Sequence, residues 1–380
     1  MLNEQIQLGD VFAGQTLNVV DADGATTAVT TATGNALSGA VESGSLTLTS
    51  TQTLQGSVNA TTALTAAGSA GNPATILTQA TGNTGDAGAY GASLAASVGQ
   101  TAGAGTVRAA TTIDASNAAI YGGATVGATA LSNSQAFAVQ GGALQANVTQ
   151  SGAGITEAEI GASVRYIPGP ATFSASAVAN NLSSAGEDSV QTLTVGQSST
   201  GARTQAAVFV AAGNAWNLTG AATATGANVS VSNAGASLDA AITQSNQSYV
   251  RAQSEVSAYD FGLGSAQAFA VGASSMAGNE GEMTLIDNLQ TTSGGVEAVA
   301  AFTGHDGYDA YASATAIGNA ATGYACADCG GAIEANNSQT NGSGVSATAS
   351  VNVTGSNRAT VGTANAVGNS ATFYVTRPGS

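Results

Sequence analysis

Apolar and polar residues alternate with a period of two along almost the whole chain. The stretch from Ser338 to Val375 shows it most plainly. Val345, Ala347, Ala349, Val351 and Val353 point one way, and Ser346, Thr348, Ser350 and Asn352 point the other. Successive side chains leave opposite faces of a pleated strand, so this alternation predicts half-buried β-strands. Gly355-Ser356-Asn357 and Gly368-Asn369 interrupt the pattern, giving strand, turn, strand, turn, strand. Alanine is abundant, but it is interleaved with Thr, Ser, Val and Gly at period two and never at 3.6, so helices are not expected.

The pattern repeats. Polar segments bearing a glutamine recur at Gln52, Gln100, Gln150, Gln197, Gln244, Gln290 and Gln339, at intervals of 46 to 50 residues. A small-residue strand ending in asparagine recurs at Asn35, Asn83, Asn133, Asn180 and Asn228, lapses near Ser274, and returns at Asn319 and Asn369. A third marker with Asn, Asp or Gly follows each glutamine, as at Asn117, Asn214, Asp260 and Asn357. Both main markers are read as turn positions. A unit that cannot bury its own face must stack on its neighbours. The predicted fold is therefore all-β: an elongated, parallel β-helix-like solenoid of about seven ~48-residue repeats. Stacked Gln and Asn would form side-chain amide ladders.

An alanine-lined triangular coil would leave a hole that native packing density forbids, so flattened coils with a small-residue core are expected. The reading favours more than one rung per repeat and keeps an antiparallel stack open, because the Gly142 region and Gly330-Gly331 could close hairpins. Residues 1–30 carry two short apolar strands, around Val11-Phe12 and Leu17 to Val20, without the markers. They read as an N-terminal cap, with residues 31–380 as one repetitive domain.

Composition narrows the function. Six basic residues, all Arg, stand against 22 acidic ones, for a net charge of −16. Nucleic acid needs a basic footprint and is excluded as a partner. The acidic surface suits a cationic or neutral partner and opposes self-adhesion. The first residues lack a basic start and an apolar core, and no run of 18 apolar residues occurs. With this Lys-free, Thr/Ser/Asn/Gly-rich texture, a mature exported protein whose leader is absent is the preferred reading.

The search for chemistry is nearly empty. Cys326 and Cys329 form a CxxC; with His305 as the single histidine, a zinc site lacks ligands, and a structural disulfide is preferred. His305-Asp306-Gly307-Tyr308-Asp309 reads as a turn. Glu157 and Glu159 lie side by side on one strand face, where a glycosidase acid pair is weighed against a solvated face, which is preferred. Asp21-Ala-Asp23-Gly24 lacks the remaining ligands of a calcium loop. Asn217-Leu-Thr219 and Asn228-Val-Ser230 match glycosylation sequons, as expected by chance in such a composition, and the Thr-x-Thr of Leu46–Ser50 does not continue as an ice-binding array. Trp216 stands alone, without an aromatic shelf for sugar stacking. No catalytic residue, cofactor or metal is expected.

The start Leu2-Asn-Glu-Gln-Ile-Gln-Leu, the Ala-x-Ala-x-Gly-Asn strands and the glutamine segments together resemble the family of the holdfast anchor protein HfaD of stalked alphaproteobacteria. That resemblance implies a non-enzymatic protein at the cell surface, associated with the outer membrane. It would help hold a polysaccharide adhesin beside a curli-like fibre subunit and a curli-secretion-like lipoprotein. Two other functions stay open: a self-assembling, curli-like fibre subunit, suggested by the amide ladders, and a polysaccharide-active β-helix enzyme.

Overall fold

The computed structural model describes residues 1–326 and 331–376. Among them are eighteen strands. The first nine are β1 (Leu2–Gln7), β2 (Val11–Asp21), β3 (Thr26–Leu54), β4 (Val58–Ser69), β5 (Ala74–Ala102), β6 (Thr106–Ala119), β7 (Ala124–Gln140), β8 (Ala143–Gly152) and β9 (Ile155–Glu187). The rest are β10 (Val190–Ser199), β11 (Arg203–Ala234), β12 (Ser237–Asn246), β13 (Tyr249–Asn279), β14 (Met283–Thr292), β15 (Val296–Cys326), β16 (Ala332–Asn341), β17 (Val345–Val353) and β18 (Ala359–Thr376).

Every pairing is parallel, and each strand pairs with the strand one repeat away. The antiparallel alternative is thereby excluded, and the fold is a β-solenoid. Gln52 lies opposite Gln100, then Gln150, Gln197, Gln244, Gln290 and Gln339. One repeat is thus one broad coil, which corrects the expectation of several rungs per repeat. Gln5, which the sequence reading passed over, sits opposite Gln52. Residues 2–21 therefore keep the register of the repeats, and eight stacked glutamines span about 34 Å at ~4.8 Å per step.

A coil this broad avoids a hole by folding flat into two lobes. One core is built from residues such as Val58, Leu64, Ile76, Ile113, Ile160, Phe173, Leu218 and Phe302. The other holds Leu94, Phe137, Leu144, Leu182, Val229, Leu238 and Ile242. Most buried positions are alanine, valine or leucine in register, so each core is a set of columns. Where alanine leaves room, a phenylalanine fills it. The Phe302 ring packs edge-on against Phe261, centroids 4.9 Å apart. It occupies the place a Cβ on Gly264 would take, 2.0 Å from that ring. Large and small residues in adjacent rungs thus interdigitate, as close packing requires.

The two lobes meet at a waist, where the chain carries its markers. The glutamines are not in turns: they are inward-facing strand residues, and Gln150 and Gln290 are fully buried. Each donates one Nε2–H to the Oε1 of the glutamine one rung nearer the N-terminus, at 2.7–2.8 Å. The other Nε2–H crosses the waist to a backbone carbonyl, as from Gln100 to Ser134 and from Gln150 to Asn181. The asparagines reciprocate. Asn35, Asn83 and Asn133 each donate Nδ2–H to the asparagine one rung nearer the C-terminus, ending on Asn180, and Asn319 donates to Asn369. They also bond the facing carbonyls of Thr53, Thr101, Ser151, Ser198 and Thr340.

Asn228 stands one residue past this column. Its register partner is Asn181, to which it donates, while Ala227 and then Ala273 occupy the column itself. In the gap, hydroxyls from the facing strand take over. Ser199 bonds Asn180 and the Gly226 carbonyl, and Thr292 bonds the Gly318 carbonyl and Asn319.

A glutamine in mid-ladder holds bonds that a terminal one lacks. Gln150→Leu is expected to cost about 2–4 kcal/mol, because it strands buried amide groups of Gln100 and Gln197. Gln339→Leu at the end rung should cost much less, and urea unfolding midpoints compare the two. Phe302→Ala is expected to cost about 3–5 kcal/mol through the cavity it leaves beside Gly264, read by the same titration.

Candidate functional site

On the long edge where the chain leaves one lobe wall and turns back, residues of successive rungs build an aromatic cleft of about 490 Å³. Tyr166, Pro168, Trp216 and Tyr308 line it, with Asn214, Asp260 and Asp306 beside them. Register places them: Asn214 lies between Tyr166 and Asp260, and Asp260 lies opposite Asp306. The third sequence marker, at Asn214 and Asp260, is therefore one wall of this cleft.

Trp216 occupies an irregularity, the register skipping between Ala215 and Asn217 on β11. The extra residue is on β9, where Pro168 and Gly169 oppose the single Trp216, and the indole faces outward, 56% exposed. Gly262, on the next rung, makes room for it: a Cβ there would lie 2.4 Å from the Trp216 carbonyl and 3.1 Å from the ring. With no side chain between them, the indole reaches Tyr308 two rungs away, edge-on at 6.0 Å. Tyr308 in turn lies under the Arg358 guanidinium at 5.8 Å. Alongside, Tyr259 stacks flat on His305, centroids 4.6 Å apart. Trp216 thus does not stand alone; a shelf of aromatic rings is present, contrary to the sequence reading. The signal was available, since an aromatic residue sits close to the third marker in several repeats, but only the register shows that they converge.

The carboxylates are fixed as well. Asp306 accepts the backbone N–H of Ser356 at 2.7 Å. That bond, aided by His305 beside it, holds its carboxyl below the ordinary aspartate range. Asp309 is likewise held low by its hydrogen bonds and ion pair with Arg358. The segment His305–Asp309, read as a plain turn, lies within strand β15 and contributes to this edge.

The other candidates resolve differently. Glu157 and Glu159 lie on β9 between two arginines: Arg108 contacts Glu159 at 2.8 Å and Glu157 at 3.6 Å, and Arg203 contacts Glu157 at 3.2 Å. This is a cross-rung ion-pair network, with both carboxylates already engaged. Cys326 is buried at the end of β15, and among the described residues no cysteine is free. Its candidate partner Cys329 lies outside the described residues. Among the described residues no group of three or more His, Cys, Asp or Glu is placed to hold a metal.

Rings that offer flat apolar faces, with carboxylate and amide acceptors between them, form a surface that suits pyranose rings: C–H faces against aromatics, hydroxyls to Asn and Asp. No curated protein and no solved structure matches the chain. The family model of holdfast attachment protein D does, over residues 20–295, so the chain belongs to the HfaD family of holdfast attachment proteins.

Proposed function

We propose that this protein is a non-enzymatic surface anchor that grips the polysaccharide of the holdfast through the aromatic cleft around Trp216 and Tyr308. The observation that carries the reading is the convergence of Tyr166, Trp216 and Tyr308 with Asn214, Asp260 and Asp306 over consecutive rungs. The rungs beneath them are tied by the amide ladders, so the rings are presented on a rigid wall and little ordering entropy is lost on binding. The long axis of the cleft follows the stack, which lets an extended polymer cross several rungs.

The net charge of −16 adds a longer-range attraction to any amine carried by the polymer. The anchoring role at the outer membrane, beside a curli-like fibre subunit and a curli-secretion-like lipoprotein, belongs to the same proposal. The enzymatic alternative finds less support, because the one paired-acid candidate is neutralised by Arg108 and Arg203.

Purified holdfast polysaccharide immobilised on a sensor surface tests the reading. Trp216→Ala is expected to weaken binding at least about tenfold, a loss in the range of one stacked ring. The unfolding midpoint should not move, since the indole is exposed. Unchanged affinity in both Trp216→Ala and Tyr308→Ala would sink the cleft.

The pH dependence has a defined sign. A carboxyl held below its ordinary range keeps its charge to lower pH, so the Asp306 contribution is present at neutral pH and is lost only as pH falls through that depressed value. Binding should therefore hold from neutral pH down through the ordinary aspartate range and weaken only below it. It should also weaken as salt rises, because exposed carboxylates act through screened solvent.

A further inference from the structure

We propose that the protein stacks end to end: the first rung of one copy docks on the last rung of another and continues the solenoid. This does not depend on the cleft.

The two faces match at each level. The glutamine ladder has a direction: every Nε2 donates toward the N-terminal end. It therefore offers an acceptor, the Gln339 Oε1, at the β16 edge and a donor, the Gln5 amide, at the β1 edge. A second copy whose β1 lies on β16 extends the ladder with the correct polarity, whereas two like ends would set donor against donor or acceptor against acceptor.

The apolar columns match too. Val11, Ala13 and Leu17 of β2, and Val345, Ala347 and Val351 of β17, are only partly buried against the same core, from its opposite ends. Following the register through the rungs, Val11 belongs to the column of Val345, Ala13 to that of Ala347, and Leu17 to that of Val351. Docking would cover both sets with their own column partners.

Charge agrees. Two positions before Thr360 is Arg358; two positions before Thr26, which shares that column, is Gly24, beside Asp23. The docked Asp23 would meet Arg358 from the side opposite Asp309. This is the same stacking interface that already joins each rung to the next within the chain. Two sheets ~10 Å apart, each ~75 Å long, give roughly 750 Å² per copy, the size of a standard specific interface. Among the described residues no helix covers either edge, and an uncovered parallel edge is a template for further pairing.

Sedimentation velocity of the full chain over a hundredfold concentration range tests this. The expected result is a series of species that lengthen in single-molecule steps. Glu4→Pro removes an edge donor without touching an internal bond, because the flanking odd positions pair inward: Thr49 donates to the Met1 carbonyl and Gln55 to that of Gln7. This variant should stay monomeric while keeping the parent circular dichroism and unfolding midpoint. Arg358→Asp alone should weaken association about tenfold or more, and Arg358→Asp with Asp23→Arg in the same chain should restore it. A chain that stays monomeric throughout, or an assembly indifferent to Glu4→Pro, overturns the proposal. Failure of the charge swap to restore association overturns the register.

Discussion

The structure depends on satisfying amide groups inside a water-free waist. A buried, unpaired amide costs a few kcal/mol, so a coil that places glutamine inward must supply partners at every rung. Stacking identical residues in register is the solution that scales. Each glutamine uses its neighbour above and below, and its spare hydrogen ties one sheet to the other. A slip of one residue would turn every column inside out, exposing alanines and burying threonines. The ladders therefore fix register as much as they add stability. Where the asparagine column lapses, at Ala227 and Ala273, the facing strand carries Asn246 and Thr292 instead, so polar groups remain at the waist.

That constraint explains the composition. A flattened coil brings its walls too close for rows of large side chains, so alanine and valine fill most columns. A phenylalanine can be admitted where a neighbouring rung offers glycine, as Gly264 does for Phe302. The outward positions are then free to carry threonine, serine and acids, and free to carry function. The cleft at Trp216 arises this way: one extra residue in β9, opposite Trp216, and one glycine in β13 set an indole over a gap and within reach of a tyrosine two rungs on.

Much of this fold was legible in the sequence, for a physical reason. Alternation reports which side of a pleat a residue occupies, and an in-register solenoid writes its period directly into the spacing of Gln52 to Gln339. Rung count was not legible, because a 48-residue period fits one wide coil or several narrow ones. Choosing between them needs knowledge of how the interior is filled. Gln5 was missed although it precedes Gln52 by 47 residues, because Gln7 and Gln15 stand nearby and blur the interval. Asn228 was misassigned because it neighbours the column residue Ala227 and differs from it only in which way it points. The cleft was missed because its rings come from separate repeats at unequal offsets, so proximity depends on the register irregularity between β9 and Trp216. Membership of the HfaD family, over residues 20–295, agrees with the resemblance read from the repeats.

The opposed directions of the two amide columns have a further consequence. A single column of aligned side-chain dipoles would build up a field that grows with every added layer, much as a long helix does. Here the glutamine column points toward one end and the asparagine column toward the other, so over the rungs that carry both the two largely cancel. The stack can gain or lose layers by duplication or deletion of one coding unit without accumulating electrostatic strain, and its length is left open to selection.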